Sequence, residues 1–222
     1  MVPRAFARKT LDLRADDPVL VHLGRIGVQK NLSGLIGAFE EALTSQAAAR
    51  LLLAGPVQDR AYLRSVARRH ARLVRNGSVR FLPPVTHVGT LLSAADAFVS
   101  NSFYEGWSVA ASEALWAGLP LLLSECGGSR ELVGEGDRRG IVVPNPLGDP
   151  LAASAEAIRV PPPEALERNR RALTEAMLAV LGAGDAWAQR SDEIRAHARE
   201  ALPPPRMAAA YARLLRRVAA AS

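Results

Sequence analysis

Glu105 and Glu113 stand eight positions apart in the stretch FYEGWSVAASEALWAGLP, residues 103–120. Two carboxylates at a fixed spacing work as acid and base, or accept hydrogen bonds from the hydroxyls of a ligand. The local sequence favours the second. Gly106 lets the backbone approach a ligand closely or take positive φ. Ser108 suits a helix N-cap, Gly118 a helix end, and Pro120 prevents continuation. Glu105 then falls in a loop before a helix N-terminus, and Glu113 more than one turn inside the helix. Such an N-terminus presents unpaired N–H groups that hold an anion. The two acids bracket that anion site, where they suit sugar hydroxyls flanking a diphosphate better than the phosphates themselves. The bland alternative is a loop acid and a helix-face acid.

A second constellation lies in HLGRIGVQKN, residues 22–31. Gly24 closes an apolar run, Arg25 follows at once, and Lys30 precedes Asn31, a plausible N-cap. Two cations at a helix N-terminus attract phosphate. The stretch lacks the third glycine of a dinucleotide fingerprint and the G-K-[ST] of a P-loop. Read without a ligand, Arg25 and Lys30 are solvated loop cations.

The elements that must position these residues are legible as short apolar runs. PVLVHLG (18–24), RLLLAG (50–55), SVRFL (78–82), DAFVS (96–100), PLLLS (120–124) and GIVVP (140–144) predict six strands. Helical spacing appears in NLSGLIGAFEEALTSQ, in the arginine-rich 57–75, and in VGTLLSAA. Strands alternating with helices predict an α/β domain over 17–146, a doubly wound Rossmann-like parallel sheet covered on both faces. Ligands of such sheets bind beyond the carboxyl ends of the strands, where every candidate residue falls. Residues 1–16 lack a clear period and read as a linker or leading tail. Residues 147–222 read as a helical extension, broken by prolines at 161–163 and 203–205, that packs on the sheet domain or reaches another one.

Composition bounds the class. The chain has 222 residues, 49% of them hydrophobic, enough for one large domain with a core. No apolar run approaches the roughly 18 residues of a membrane span, and the start lacks a signal-peptide core. The lone cysteine, Cys126, precludes an internal disulfide, and a cytoplasmic address fits. The net charge is +6, almost all of it arginine. Arg60, Arg64, Arg68 and Arg72 recur on one helical face, read as solvated, with a membrane-surface or acidic-partner patch as the second reading. No aromatic set interleaves with them, which argues against nucleic acid. His22, His70, His87 and His197 are scattered; His22 reads as a core histidine with its hydrogen bonds met. There is no Cys/His ligand spacing and no Asp-x-Asp after a strand, so no metal site is expected.

EGWSVAASE, with a G-x-P close behind and GGSRE after strand five, resembles the E-x7-E signature of retaining GT-B glycosyltransferases of the group 1, or family 4, type. GRIGVQKN is similar to that family's donor-phosphate element. The resemblance covers about residues 18–145. It implies one half of a GT-B fold, the nucleotide-sugar-binding half, needing no metal or other cofactor. Arg25 and Lys30 would hold the donor diphosphate, helped by Gly24 and by the backbone amides of Gly106, Trp107, Ser108 and Val109. Glu105 would contact the transferred sugar and Glu113 the ribose. Leu82 and Pro83 would border the base, although proline there lacks an N–H to offer. Gly127 and Gly128 would line the crevice, or equally form a turn before a helix capped by Ser129. The partner implied is an acceptor-binding N-terminal domain, in cis or in trans. That makes the chain the donor half of an enzyme acting on a glycan, lipid or other acceptor, in the cytoplasm or at the inner membrane face, and inactive alone. The alternatives are a non-catalytic nucleotide- or partner-binding module of the same fold, or another GT-B-like activity such as an epimerase or a phosphorylase.

Overall fold

Each of the six apolar runs forms a strand in the computed structural model, which describes residues 1–83, 87–149, 154–202 and 204–219. The strands are β1 (Val19–Leu23), β2 (Arg50–Ala54), β3 (Val79–Leu82), β4 (Ala97–Ser100), β5 (Leu121–Ser124) and β6 (Gly140–Val143). All pairings are parallel, in the order β3-β2-β1-β4-β5-β6. The chain builds outward from β1 to β3, then returns to the other side of β1 with β4. The connections leaving β1 and β4 therefore diverge, and a crevice opens above their carboxyl ends.

The helices are α1 (Arg4–Thr10), α2 (Leu32–Ala42), α3 (Arg60–Arg69), α4 (Ala71–Arg75), α5 (Val88–Ala94) and α6 (Val109–Ala117). They continue with α7 (Ser129–Val133), α8 (Ala155–Arg159), α9 (Arg170–Gly182), α10 (Gly184–Ala201) and α11 (Pro204–Ala219). Side chains alternate across each strand. Leu20, Leu51 and Leu53 meet α2, α3, α4 and α9 on one face. Val19, Val21 and Leu52 meet α5, α6, α7 and α10 on the other. Both faces are dry, which is why the strands read as unbroken apolar runs.

Two features differ from the sequence expectation. Residues 1–16 contain α1, whose lack of period has a physical reason: arginine hydrogen bonds hold it in place of an apolar stripe. The buried Arg8 donates to the carbonyls of Ala94, Arg14 and Ala15, and pairs with Asp96 at 3.0 Å. Asp96 also pairs with Arg4 and accepts the Val19 N–H at 2.7 Å, tying α1 to the start of β1. The arginine-rich helix breaks at His70, which is buried and lies 3.2 Å from the Ser33 hydroxyl, so α3 and α4 are separate. Arg60, Arg64, Arg68 and Arg72 are all exposed.

The C-terminal helices divide their roles. Leu173, Met177 and Val180 bury α9 against the first face, while Ile194 and Ala198 bury α10 against the second. Both thereby complete the two layers. Pro203 lies outside the described residues, and α11 begins at Pro204. Met207, Tyr211, Leu214 and Leu215 of α11 are all exposed.

Removing the carboxylate of Asp96 takes from buried Arg8 the acid paired with it. Asp96→Ala is expected to lower unfolding stability by about 3 kcal/mol, read from the urea midpoint, because breaking a buried ion pair on one side is costly.

Candidate functional site

Gly24 follows β1 and donates its N–H to the Ala54 carbonyl at 2.9 Å, so the chain stays beside β2 for one more residue. Ile26 then bonds to Pro56 at 2.9 Å, and residues 28–30 form a 3-10 turn. Asn31 takes a left-handed conformation, φ 44°, and its side chain caps α2 by accepting the Gly34 N–H at 3.2 Å. This turn folds Lys30 back across the end of β1. A Cβ added at Gly24 would lie 3.3 Å from both Lys30 Cε and His22 Nε2, so glycine there leaves space for the lysine stem.

Beyond β4 the chain stays buried through Asn101, Ser102 and Phe103 before it surfaces. It is stitched to the first loop: the Phe103 N–H donates to Gln29 O at 2.9 Å, and Gln29 Nε2 donates to Tyr104 O at 2.7 Å. Asn145 Nδ2 donates to the carbonyls of Phe103 and Glu125, both at 3.0 Å. Asn169, at the start of α9, donates to Asn101 Oδ1 and to Pro144 O, both at 2.8 Å. The result brings the Glu105 carboxylate onto Lys30 Nζ, with the Ser102 hydroxyl donating to the same oxygen at 3.2 Å. Ser102 in turn lies 3.0 Å from the Ser100 hydroxyl. The lysine and glutamate side chains are only 13% and 17% exposed.

The Ser108 hydroxyl caps α6 by accepting the Ala111 N–H at 3.2 Å, and Gly118 closes the helix at φ 82°. Ala111, Ala114, Leu115 and Ala117 are buried, leaving Val109, Glu113 and Trp116 on the open face. Glu113 makes no ion pair among the described residues; partial burial lifts its carboxyl above the ordinary value. Trp107 is half-exposed and donates its Nε1–H to Ser112 Oγ at 3.0 Å.

Gly127 and Gly128 are shaped by this loop. Gly127 has φ 49°, and a Cβ there would collide with the carbonyl oxygens of Glu105 and Gly106. The Gly128 N–H donates to Gly106 O at 3.1 Å, and a Cβ on Gly128 would strike the Trp107 ring. Both glycines let the chain after β5 press against residues 105–107. Ser129 does not cap α7, as one expectation had it. It is the first helical residue, its hydroxyl accepts the Cys126 N–H at 3.2 Å, and Gly128 holds the cap position without a side chain.

The candidates are therefore not all gathered. Gly24, Lys30, Glu105 to Val109, Gly127 and Gly128 surround the ends of β1, β4 and β5. Arg25 is exposed beside Lys30 and makes no ion pair among the described residues. Leu82 ends β3 and Pro83 follows it, two strands from β1 at the sheet edge. Gln29, Ser100, Ser102, Asn145 and Asn169 escaped sequence reasoning. The polar run Ser100-Asn101-Ser102 straight after an apolar strand was a usable signal for the serines; the others carry none.

Burial first, and the charge of Arg25 second, lower the Lys30 pKa. Burial raises that of the Cys126 thiol. His22 is fully buried and neutral, its pKa lowered to about 4 by desolvation. Its Nδ1 meets Val99 O at 3.0 Å, but Nε2 has no hydrogen-bond partner among the described residues, so only half of the ring's expected satisfaction is met. Chemically, the crevice offers Lys30 with Arg25 beside it, the Glu105 carboxylate and the helix N-terminus that follows it, groups that suit an anion flanked by hydroxyls. A second cavity, of about 610 Å³, opens at the amino ends of the strands beside Leu92, Asp96, Pro120 and Trp187, and holds none of the candidates.

The family model described as glycosyl transferases group 1 matches residues 3–160. A glycogen synthase of Mycobacterium tuberculosis is 32% identical over 155 residues, 69% of this chain and 36% of that protein. Sucrose-phosphate synthase from Thermosynechococcus elongatus superposes with a TM-score of 0.73 at 26% identity, over 100% of this chain and 50% of that one. HepE from Anabaena, solved in complex with UDP-glucose, gives a TM-score of 0.58 at 21% identity, over 89% and 51% of the two chains. The chain thus spans about a third of the length of the curated relatives it matches. No helix among the described residues is long and apolar enough to cross a membrane.

The neutral His22 makes stability pH-dependent. Its folded pKa of about 4 lies below the unfolded value of 6.5, so its contribution is present above pH 6.5 and is lost as pH falls toward 4. Urea unfolding is expected to show about 2 kcal/mol less stability at pH 4.5 than at pH 7 from this group. His22→Gln, which cannot titrate, is expected to flatten that slope.

Proposed function

The chain belongs to the group 1 glycosyltransferases, and from that membership we propose that it is the donor-binding half of a retaining, metal-independent enzyme. It takes a nucleoside diphosphate sugar. The acceptor, a glycan, lipid or other hydroxyl compound, is bound by an N-terminal domain supplied in cis or in trans. One observation carries the reading: Lys30, from the loop after β1, pairs with Glu105, from the loop that leads into α6, at the point where the strand order reverses between β1 and β4. The fold resemblance to a protein solved with UDP-glucose supports it. So does the exposed apolar surface of Tyr104, Trp107 and Val109 around the N-terminus of α6, since exposed apolar side chains at the rim of a crevice suit a partner.

In this reading Arg25 and Lys30 meet the diphosphate, with Gly24 and the amides of residues 106–109 at close range. Their charges stabilise the leaving group as the bond to the sugar breaks. The acceptor hydroxyl attacks from the face the diphosphate leaves, and its proton passes to the departing phosphate oxygen. Glu105 accepts hydrogen bonds from the sugar and Glu113 from the ribose. Leu82 and Pro83 border the base from the sheet edge, and Gly127 and Gly128 line the floor.

Calorimetric titration with UDP, GDP, ADP and their glucose conjugates tests the reading. Binding of one nucleotide series is expected, and Glu113→Ala is expected to weaken the bare nucleotide about tenfold, the value of one hydrogen bond to a charged group. No binding in any series favours a non-catalytic module of the same fold. Unchanged affinity of Glu113→Ala removes the ribose assignment. The purified chain is expected to transfer no sugar without an acceptor domain, and robust transfer by it contradicts the half-enzyme reading.

A further inference from the structure

Lys30 is the most shielded cation of the crevice, and the chain's own carboxylate is on it. Because both side chains are largely shielded from water, their attraction is screened less than that of a surface pair. A diphosphate that uses Lys30 has to part it from Glu105. The parted carboxylate keeps the Ser102 hydroxyl but loses its counter-charge. It cannot move far. Its loop is pressed by Gly127 and Gly128 and fastened through Gln29 and Asn145.

What the ligand brings decides whether that loss is made good. The phosphate end of a bare nucleoside diphosphate carries only acceptors and adds negative charge beside Glu105. A sugar on the same diphosphate brings hydroxyl donors that a carboxylate accepts.

Resting on the donor reading above, we propose that Glu105 is a specificity-determining residue that competes with phosphate for Lys30 and yields only to a ligand carrying sugar hydroxyls. The pair thereby biases the site against the bare nucleoside diphosphate. After transfer the sugar hydroxyls are gone, Glu105 returns to Lys30, and release of the spent nucleotide is favoured. Arg25, exposed and outside the pair, is open to the diphosphate in either case.

Titration of the parent chain and of Glu105→Gln with UDP, GDP, ADP and their glucose conjugates decides the matter, with folding of each protein checked by thermal melting. Glu105→Gln keeps the side-chain shape and removes the charge. It is expected to bind the bare nucleoside diphosphate about fivefold tighter and the sugar conjugate no tighter, so the affinity ratio moves against the sugar. Equal changes for both ligands overturn the proposal, as does weaker binding of the bare nucleotide. Should Glu105→Gln not fold, Glu105→Ala carries the same test, with the same tightening expected for the bare nucleotide and a loss for the conjugate. No binding of any nucleotide to the parent chain overturns the donor reading and this proposal with it, whereas nucleotide binding without the shift in ratio overturns this proposal alone.

Discussion

The crevice depends on holding two irregular loops side by side at the ends of β1 and β4. Neither loop has a hydrogen-bonding ladder of its own, and each must satisfy its backbone groups while partly shut off from water. The chain solves this with amides placed at long range. Gln29 and Phe103 close one seam, Asn145 bridges the β4 and β5 loops, and Asn169 reaches in from the start of α9. Those seams hold together the two loops that carry Lys30 and Glu105. The C-terminal helices are thus part of the site's support, because α9 both fills the core and carries Asn169 to Asn101.

That arrangement explains which parts of the molecule the sequence disclosed. The strands were legible to within a residue at each end, because a sheet covered on both faces needs unbroken apolar runs. The α6 helix was legible from Ser108, Gly118 and Pro120, whose roles are local. Glu105, Lys30 and the glycine pair were singled out because strand ends and turn residues mark them. Their pairing was not legible, since Lys30 and Glu105 are separated by 75 residues and only tertiary structure brings them together. The same holds for α1, which arginine hydrogen bonds fix in place, and for the break at His70, which a buried contact to Ser33 accompanies. Asn145 and Asn169 sit in loops and helix starts where asparagine is ordinary, so nothing in the sequence distinguished them.

Electrostatics gives the crevice its character. Lys30 is partly desolvated and its charge is contested by Arg25, while Glu105 answers it from the facing loop. The N-terminus of α6 adds partial positive charge nearby. A site of this kind is poised to exchange one anion for another. The rim beside it is partly apolar, with Tyr104, Trp107 and Val109 exposed. Polar floor and apolar rim together are what the proposed half-cleft reading needs.

A sugar nucleotide is expected to bind where β1 and β4 diverge. Amide chemical-shift mapping of the isotope-labelled chain during titration with UDP-glucose tests it most directly. The account expects the largest shifts at Gly24, Gly106, Val109 and Gly127. Shifts confined to the cavity beside Leu92, Asp96 and Trp187, at the amino ends of the strands, would contradict it.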